Sequence, residues 1–92
     1  MSEFLIGDRL VGHKHPPLVI AEIGINHEGD ISKAIRMIDD AHEAGCECVK
    51  FQSHIVEDEM IPNDVVPGNT PEKIWDIMVR CSLTESEERR LK

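Results

Sequence analysis

The sequence predicts an α/β fold built on a parallel sheet, and three observations predict it. Leu18-Val19-Ile20-Ala21-Glu22-Ile23 is a nearly continuous apolar run between Pro17 and Gly24. Such a run marks a strand covered on both faces, as parallel strands are. Ile31, Ala34, Ile35, Ile38 and Ala41 then recur at three- and four-residue steps, which places them on one face of a helix. Cys46 to Gln52 supplies a second short strand. Strand, helix, strand is a βαβ unit, and its two strands run parallel.

The remaining elements follow from local signals. Phe4-Leu5-Ile6 and Leu10-Val11 flank Gly7-Asp8-Arg9, and short apolar runs around a glycine-containing turn read as a hairpin. Pro16 and Pro17 forbid a helix and favour an extended linker, so residues 1–17 form a hairpin and linker. After the first strand, 24–29 is a loop, and Asp30 is placed to cap the helix. Lys33, Arg36, Asp40 and Glu43 mark the solvent face of that helix, and Gly45 stands where a C-terminal cap belongs. Residues 61–70 carry Pro62, Asn63, Pro67, Gly68 and Asn69 and read as a loop. Thr70-Pro71-Glu72 has the pattern that opens a second helix, with Ile74, Ile77, Met78 and Cys81 on its apolar face and Trp75 at the margin. Thr84 and Glu87 have capping-box spacing and open a third.

Composition excludes several function classes. Of 92 residues, 10 are Lys or Arg and 18 are Asp or Glu, a formal net charge of −8. That sign disfavours a nucleic-acid backbone or an anionic membrane surface as partner. No apolar run approaches the roughly 20 residues of a membrane span, and no basic region followed by an apolar stretch marks a secretory signal. The three cysteines, Cys46, Cys48 and Cys81, are an odd number. They fit a reduced, cytoplasmic protein better than a disulfide framework, and alternation reads Cys46 and Cys48 as buried. Two parallel strands are too few for a stable sheet. The expectation is therefore that residues 18–92 are the first βαβα part of a larger α/β protein, interrupted within its third helix.

Alternation along the strands also points to a site. Leu18, Ile20 and Glu22 share one side of the first strand, and Cys48, Lys50 and Gln52 share one side of the second. Val19, Ala21, Val49 and Phe51 then face the helix. Glu22, Lys50 and Gln52 fall together on the far side, at the C-terminal strand ends where α/β folds bind ligands. Two readings compete for Glu22 and Lys50. One is an internal ion pair, because a buried carboxylate is costly unless paired. The other is a catalytic carboxylate beside a cation that holds an anionic ligand. Read alone, His27 is a solvated loop residue, His13 and His15 belong to the linker without further metal ligands at suitable spacing, and Glu57-Asp58-Glu59 is a solvated acidic run.

Ile20-Ala21-Glu22-Ile23-Gly24-Ile25-Asn26-His27-Glu28-Gly29-Asp30 resembles the opening signature of the sialic acid synthase family, and Val49-Lys50-Phe51-Gln52 its second landmark. His54 to Met60, Val66-Pro67-Gly68-Asn69 and Ile77 to Leu83 resemble the bacterial N-acetylneuraminate synthases in particular. The resemblance implies the N-terminal portion of a (β/α)8 TIM barrel preceded by a short β-hairpin, with a C-terminal antifreeze-like domain absent. It implies a homodimeric enzyme that condenses phosphoenolpyruvate with N-acetylmannosamine and water, giving N-acetylneuraminate and phosphate. A legionaminic acid-type synthase, or a non-catalytic binding module that keeps the βαβ unit, are the alternatives. Residue by residue, it implies Glu22 at the sugar and in proton handling, Lys50 on phosphoenolpyruvate and Gln52 on the sugar. Asn26 and His27 belong to the same signature, which implies loop-shaping or site-lining roles for them among the substrate-binding residues. A divalent cation, Mn2+ or Mg2+, is implied for the full-length enzyme, with its histidine ligands outside this sequence; the 92-residue chain alone is expected to be inactive.

Overall fold

The computed structural model describes residues 2–92. Its elements are β1 (Phe4–Ile6), β2 (Arg9–Val11), β3 (Ile20–Gly24), α1 (Ile31–Glu43), β4 (Cys48–Phe51), α2 (Val56–Glu59), α3 (Ile74–Arg80) and α4 (Glu85–Arg90). They form two separate two-stranded sheets, β1–β2 and β3–β4.

β1 and β2 pair antiparallel with Phe4 opposite Val11 and Ile6 opposite Arg9. The turn is therefore Gly7-Asp8 alone. Gly7 has φ +61° and Asp8 does not have a positive φ, the arrangement of a type II′ turn, whose twist matches the strands it joins. Arg9 belongs to the strand rather than to the turn. Its guanidinium forks onto Glu47, Nε to Oε2 at 2.9 Å and Nη2 to Oε1 at 3.0 Å, and also donates to the Pro16 carbonyl at 2.8 Å. This clamp ties the hairpin to the entry of β4. The hydrogen bond holds the Glu47 carboxyl below its ordinary range and raises the Arg9 guanidinium.

β3 and β4 are parallel, with Ala21 opposite Val49 and Glu22 opposite Lys50. Both strands begin two residues later than the apolar runs predict, and Val19 lies outside the strand, exposed rather than facing the helix. The expected cover on both faces is present on one. Ala21, Ile23, Val49 and Phe51 lie on the covered side, while Ile20, Glu22, Cys48 and Lys50 are exposed because nothing in residues 2–92 packs over them. Cys48 is thus not buried; Cys46 is half-buried and Cys81 is the buried thiol.

α1 matches its sequence signals at both ends. Asp30 accepts from the amides of Ser32 at 2.9 Å and Lys33 at 3.3 Å. Gly45, at φ +92°, ends the helix while its amide bonds the His42 carbonyl and that of Cys46 bonds Ala41, the paired bonds of a Schellman cap. Ala34 is fully buried, and Ile31, Ile35, Ile38 and Ala41 are half-buried on the same face.

The C-terminal half departs further from expectation. Glu57-Asp58-Glu59 belongs to α2, a single turn anchored by buried Val56. α3 starts at Ile74, not after Thr70. The Thr70 hydroxyl accepts from Glu72 N at 3.3 Å in a tight turn, and the Ile74 amide bonds the Val65 carbonyl at 2.8 Å. The loop itself caps α3, helped by a Lys73–Asp64 ion pair at 2.8 Å. α4 opens with the reciprocal Thr84–Glu87 capping box.

The solvent-accessible surface is 6916 Å², where a compact monomer of this size exposes about 5,400 Å². The radius of gyration is 16.5 Å against about 12 Å for such a monomer. The excess lies in apolar side chains of both sheets and the long loop, among them Leu5, Ile20, Ile61 and Val65.

Candidate functional site

Parallel pairing sets Glu22 directly beside Lys50 at the C-terminal ends of β3 and β4. Their side chains form an ion pair, Lys50 Nζ to Glu22 Oε2 at 3.4 Å. The pair is not internal: the two side chains are 50% and 65% exposed. The desolvation argument for a merely structural pair therefore does not apply, and an exposed ion pair contributes little to stability. The carboxylate and the ammonium remain accessible on an open face.

Backbone irregularity brings a third group to them. Between Glu22 and Gly24 the register slips, so that Ile23 and Gly24 together stand opposite Phe51. A bulge at a strand end turns the chain and redirects its neighbours. Gly24 takes φ +58°, and a Cβ there would lie 3.2 Å from Glu22 Oε1 and 3.5 Å from Gln52 Oε1. The missing side chain leaves room in which the Glu22 and Gln52 side chains converge. Gln52 N also bonds the Gly24 carbonyl at 3.3 Å, which holds the end of β4 against the bulge. Glu22, Lys50 and Gln52 thus meet on one face, as alternation predicts.

The loop between β3 and α1 runs from the bulge to the helix cap. Asn26 is exposed at its surface. His27 is not solvated, and it does not take the expected place lining the substrate site: it is 1% exposed, its Nδ1 accepts from Gly29 N at 3.0 Å, and its ring tilts against Phe51 with centroids 6.0 Å apart. Burial pushes its pKa down from the ordinary histidine value, opposed by the charges of Glu88 and Glu87 and aided by Lys33. Sequence reasoning had no signal for this, because the ring packs against Phe51 of β4, distant along the chain. Gly29, at φ +77°, lies against the end of α3, where a Cβ would collide with the Arg80 carbonyl oxygen. Glu28 also adopts positive φ, +58°, and pairs with Lys33 at 3.3 Å.

His13 and His15 stay with the linker, where His15 Nε2 meets Glu3 Oε2 at 2.5 Å. Among the described residues no group of three or more His, Cys, Asp or Glu side chains is placed to hold a metal ion. No helix among them is long and apolar enough to cross a membrane. A cavity of about 500 Å³ opens beside the site's end of β4, lined by Ser53, His54, Ile55, Leu83 and acidic side chains that include Glu59 and Glu85.

No protein-family model matches the chain. Individual proteins do. N-acetylneuraminate-9-phosphate synthase of Mus musculus is 57% identical over 49 residues, which cover 53% of this chain and 14% of that protein. The spore coat polysaccharide biosynthesis protein SpsE of Bacillus subtilis is 48% identical over 52 residues, covering 56% of this chain and 14% of its own. The crystal structure of N-acetylneuraminic acid (sialic acid) synthetase from Leptospira borgpetersenii, in complex with citrate, superposes with a TM-score of 0.83 at 30% identity. That match covers 99% of this chain and 29% of the synthetase. The chain therefore spans less than a third of the length of these relatives.

Proposed function

We propose that this chain, which is similar to N-acetylneuraminate-9-phosphate synthase, SpsE and a sialic acid synthetase, carries the first substrate-binding strands of a phosphoenolpyruvate-dependent nonulosonic acid synthase. The observation that supports the reading is the accessible Glu22–Lys50 pair with Gln52 beside it at parallel strand ends. The fold around it would be the opening βαβα of a (β/α)8 barrel, with residues 1–17 as hairpin and linker and residues 18–92 as barrel.

The proposed reaction joins phosphoenolpyruvate, N-acetylmannosamine and water into N-acetylneuraminate and phosphate. The enol carbon attacks the open-chain sugar aldehyde and forms the new carbon–carbon bond. Water adds to the resulting oxocarbenium carbon, and the tetrahedral intermediate expels phosphate. Lys50 supplies a fixed cation for the anionic phosphoenolpyruvate, stabilising charge where it concentrates. Glu22, within reach of the same space, accepts a hydrogen bond from a sugar hydroxyl and handles a proton. The Gln52 amide orients the sugar, and exposed Asn26 lines the approach. On ligand binding the Glu22–Lys50 pair opens and each partner exchanges the other for substrate.

The resemblance also implies Mn2+ or Mg2+, which would polarise the sugar aldehyde. The described residues offer no group of three or more candidate ligands for it, so no step assigned to this chain runs through the ion. A cytoplasmic homodimer completes the proposal. The 92 residues alone are proposed to release no phosphate from phosphoenolpyruvate with N-acetylmannosamine and Mn2+; metal-dependent release by them would contradict this. In a full-length protein carrying the chain, phosphate release with N-acetylmannosamine, and with the diacetylated sugar of legionaminic acid synthesis, identifies the acceptor. Activity with neither, in a folded protein, would favour a non-catalytic binding module.

A further inference from the structure

His27 combines three properties that its loop position does not require. It is the one fully buried polar side chain among the described residues, at 1% exposure. Its Nδ1 is a hydrogen-bond acceptor for the Gly29 amide at 3.0 Å. Its ring lies against Phe51, the residue between Lys50 and Gln52. We infer that His27 is a positioning residue, a neutral internal latch that fixes the β3–α1 loop over the ends of β3 and β4, and that protonating it releases the loop.

The tautomer follows from the hydrogen bond. Nδ1 can accept from an N–H only when it carries no proton, so the ring proton sits on Nε2. An imidazolium has two donors and no acceptor. Protonation would set Nδ1–H against the Gly29 N–H and leave a buried charge without a partner. Gly29 has little room toward α3, where even a Cβ would collide with the Arg80 carbonyl oxygen and lie 3.4 Å from that of Ser82. The relief available is for the 25–29 turn to lift off Phe51. That movement would disturb the Gly24 bulge and with it the approach of Glu22 to Gln52.

The charged groups around the ring do not supply the missing partner. From α4, Glu87 and Glu88 favour the imidazolium; from α1, Lys33 opposes it. Glu87 is engaged by the Thr84 cap at 2.9 Å. On the loop, Glu28 is paired with Lys33 at 3.3 Å and Asp30 is occupied as the α1 cap. Arg80 of α3 is committed to Glu72 at 2.8 Å, and Phe51 of β4 carries no charge. Burial is the largest influence and favours the neutral ring. The unfolded chain then binds a proton that the native chain refuses. Stability from this group is complete above the unfolded value of about 6.5. It is lost as pH falls from there to the lower native value.

The inference concerns the loop's own structure and stands apart from the catalytic reading. Its test is nitrogen-detected NMR of the five histidine rings in the 92-residue chain across pH 4.5–8 (about three-and-a-half decades of proton activity spanning the ordinary value). His27 is expected to titrate below the ordinary histidine value of about 6.5. It is also expected to carry its proton on Nε2 when neutral, and the Gly29 amide should lose exchange protection as His27 charges. In His27→Asn, whose Oδ1 stands near the Nδ1 position and does not titrate, Gly29 protection should no longer follow pH. His27→Leu should lose it at every pH. Titration of His27 at or above the ordinary histidine value, a proton on Nδ1, or unchanged Gly29 protection in His27→Leu would each overturn the inference.

Discussion

The β3–α1–β4 unit and the segment from residue 53 onward are of similar length but are held by different means. In the first, each element carries its own signals. The α1 helix has a side-chain cap before it, a Schellman cap after it and a continuous apolar stripe between, with Ala34 fully buried against the sheet. In the second, α2 is one turn, and α3 lacks a side-chain cap and begins where the Val65 carbonyl receives its first amide. Its order depends on what folds against it. The two regions meet at Gly29, where the loop of the first touches the last carbonyls of α3. The comparison teaches that the site face is set by the locally encoded unit, and the C-terminal segment braces the loop from behind.

The largest expected effect breaks that junction. Gly29→Val adds a β-branched side chain at φ +77° and against the Arg80 carbonyl. It should cost about 3 kcal/mol or more, combining left-handed strain with the collision. The denaturant midpoint measures this, and an unchanged midpoint would show that the two regions are not braced there. Next, Ala34→Leu overfills the contact of α1 with the sheet and should cost about 1–3 kcal/mol. Asp30→Ala should cost about 1 kcal/mol by uncapping α1. Thr70→Ala should cost less than about 0.5 kcal/mol, since Thr70 bonds Glu72 in a turn and does not cap α3. Equal losses from Asp30→Ala and Thr70→Ala would remove the distinction between the regions. The smallest effect is Glu22→Gln, expected to change stability by no more than about 0.5 kcal/mol because the pair is exposed.

How much of this was legible in the sequence follows the same division. The hairpin, α1 with both caps, the parallel strands and the α4 capping box all rest on residues adjacent or one turn apart. The alternation of β3 and β4 also placed Glu22, Lys50 and Gln52 on one face without any tertiary information. What sequence reasoning missed depends on distant partners. The start of α3 is fixed by Val65, nine residues away, and the His27 ring rests on Phe51 in the next strand. The exposure of Glu22 was missed for a related reason: an apolar run implies two covered faces, and residues 2–92 cover one. The Arg9–Glu47 clamp joins residues 38 apart and had no local signature.

The central claim is that the open Glu22–Lys50–Gln52 face binds phosphoenolpyruvate and the acceptor sugar. Its most direct test is steady-state phosphate release by a full-length protein carrying this chain, comparing wild type with Lys50→Ala and Glu22→Gln. Lys50→Ala should raise KM for phosphoenolpyruvate at least about tenfold, the loss of roughly one charge-assisted contact. Glu22→Gln should lower kcat by about a hundredfold or more. Normal kcat and KM in both variants, with the protein folded, would contradict the claim and leave the pair a surface ion pair.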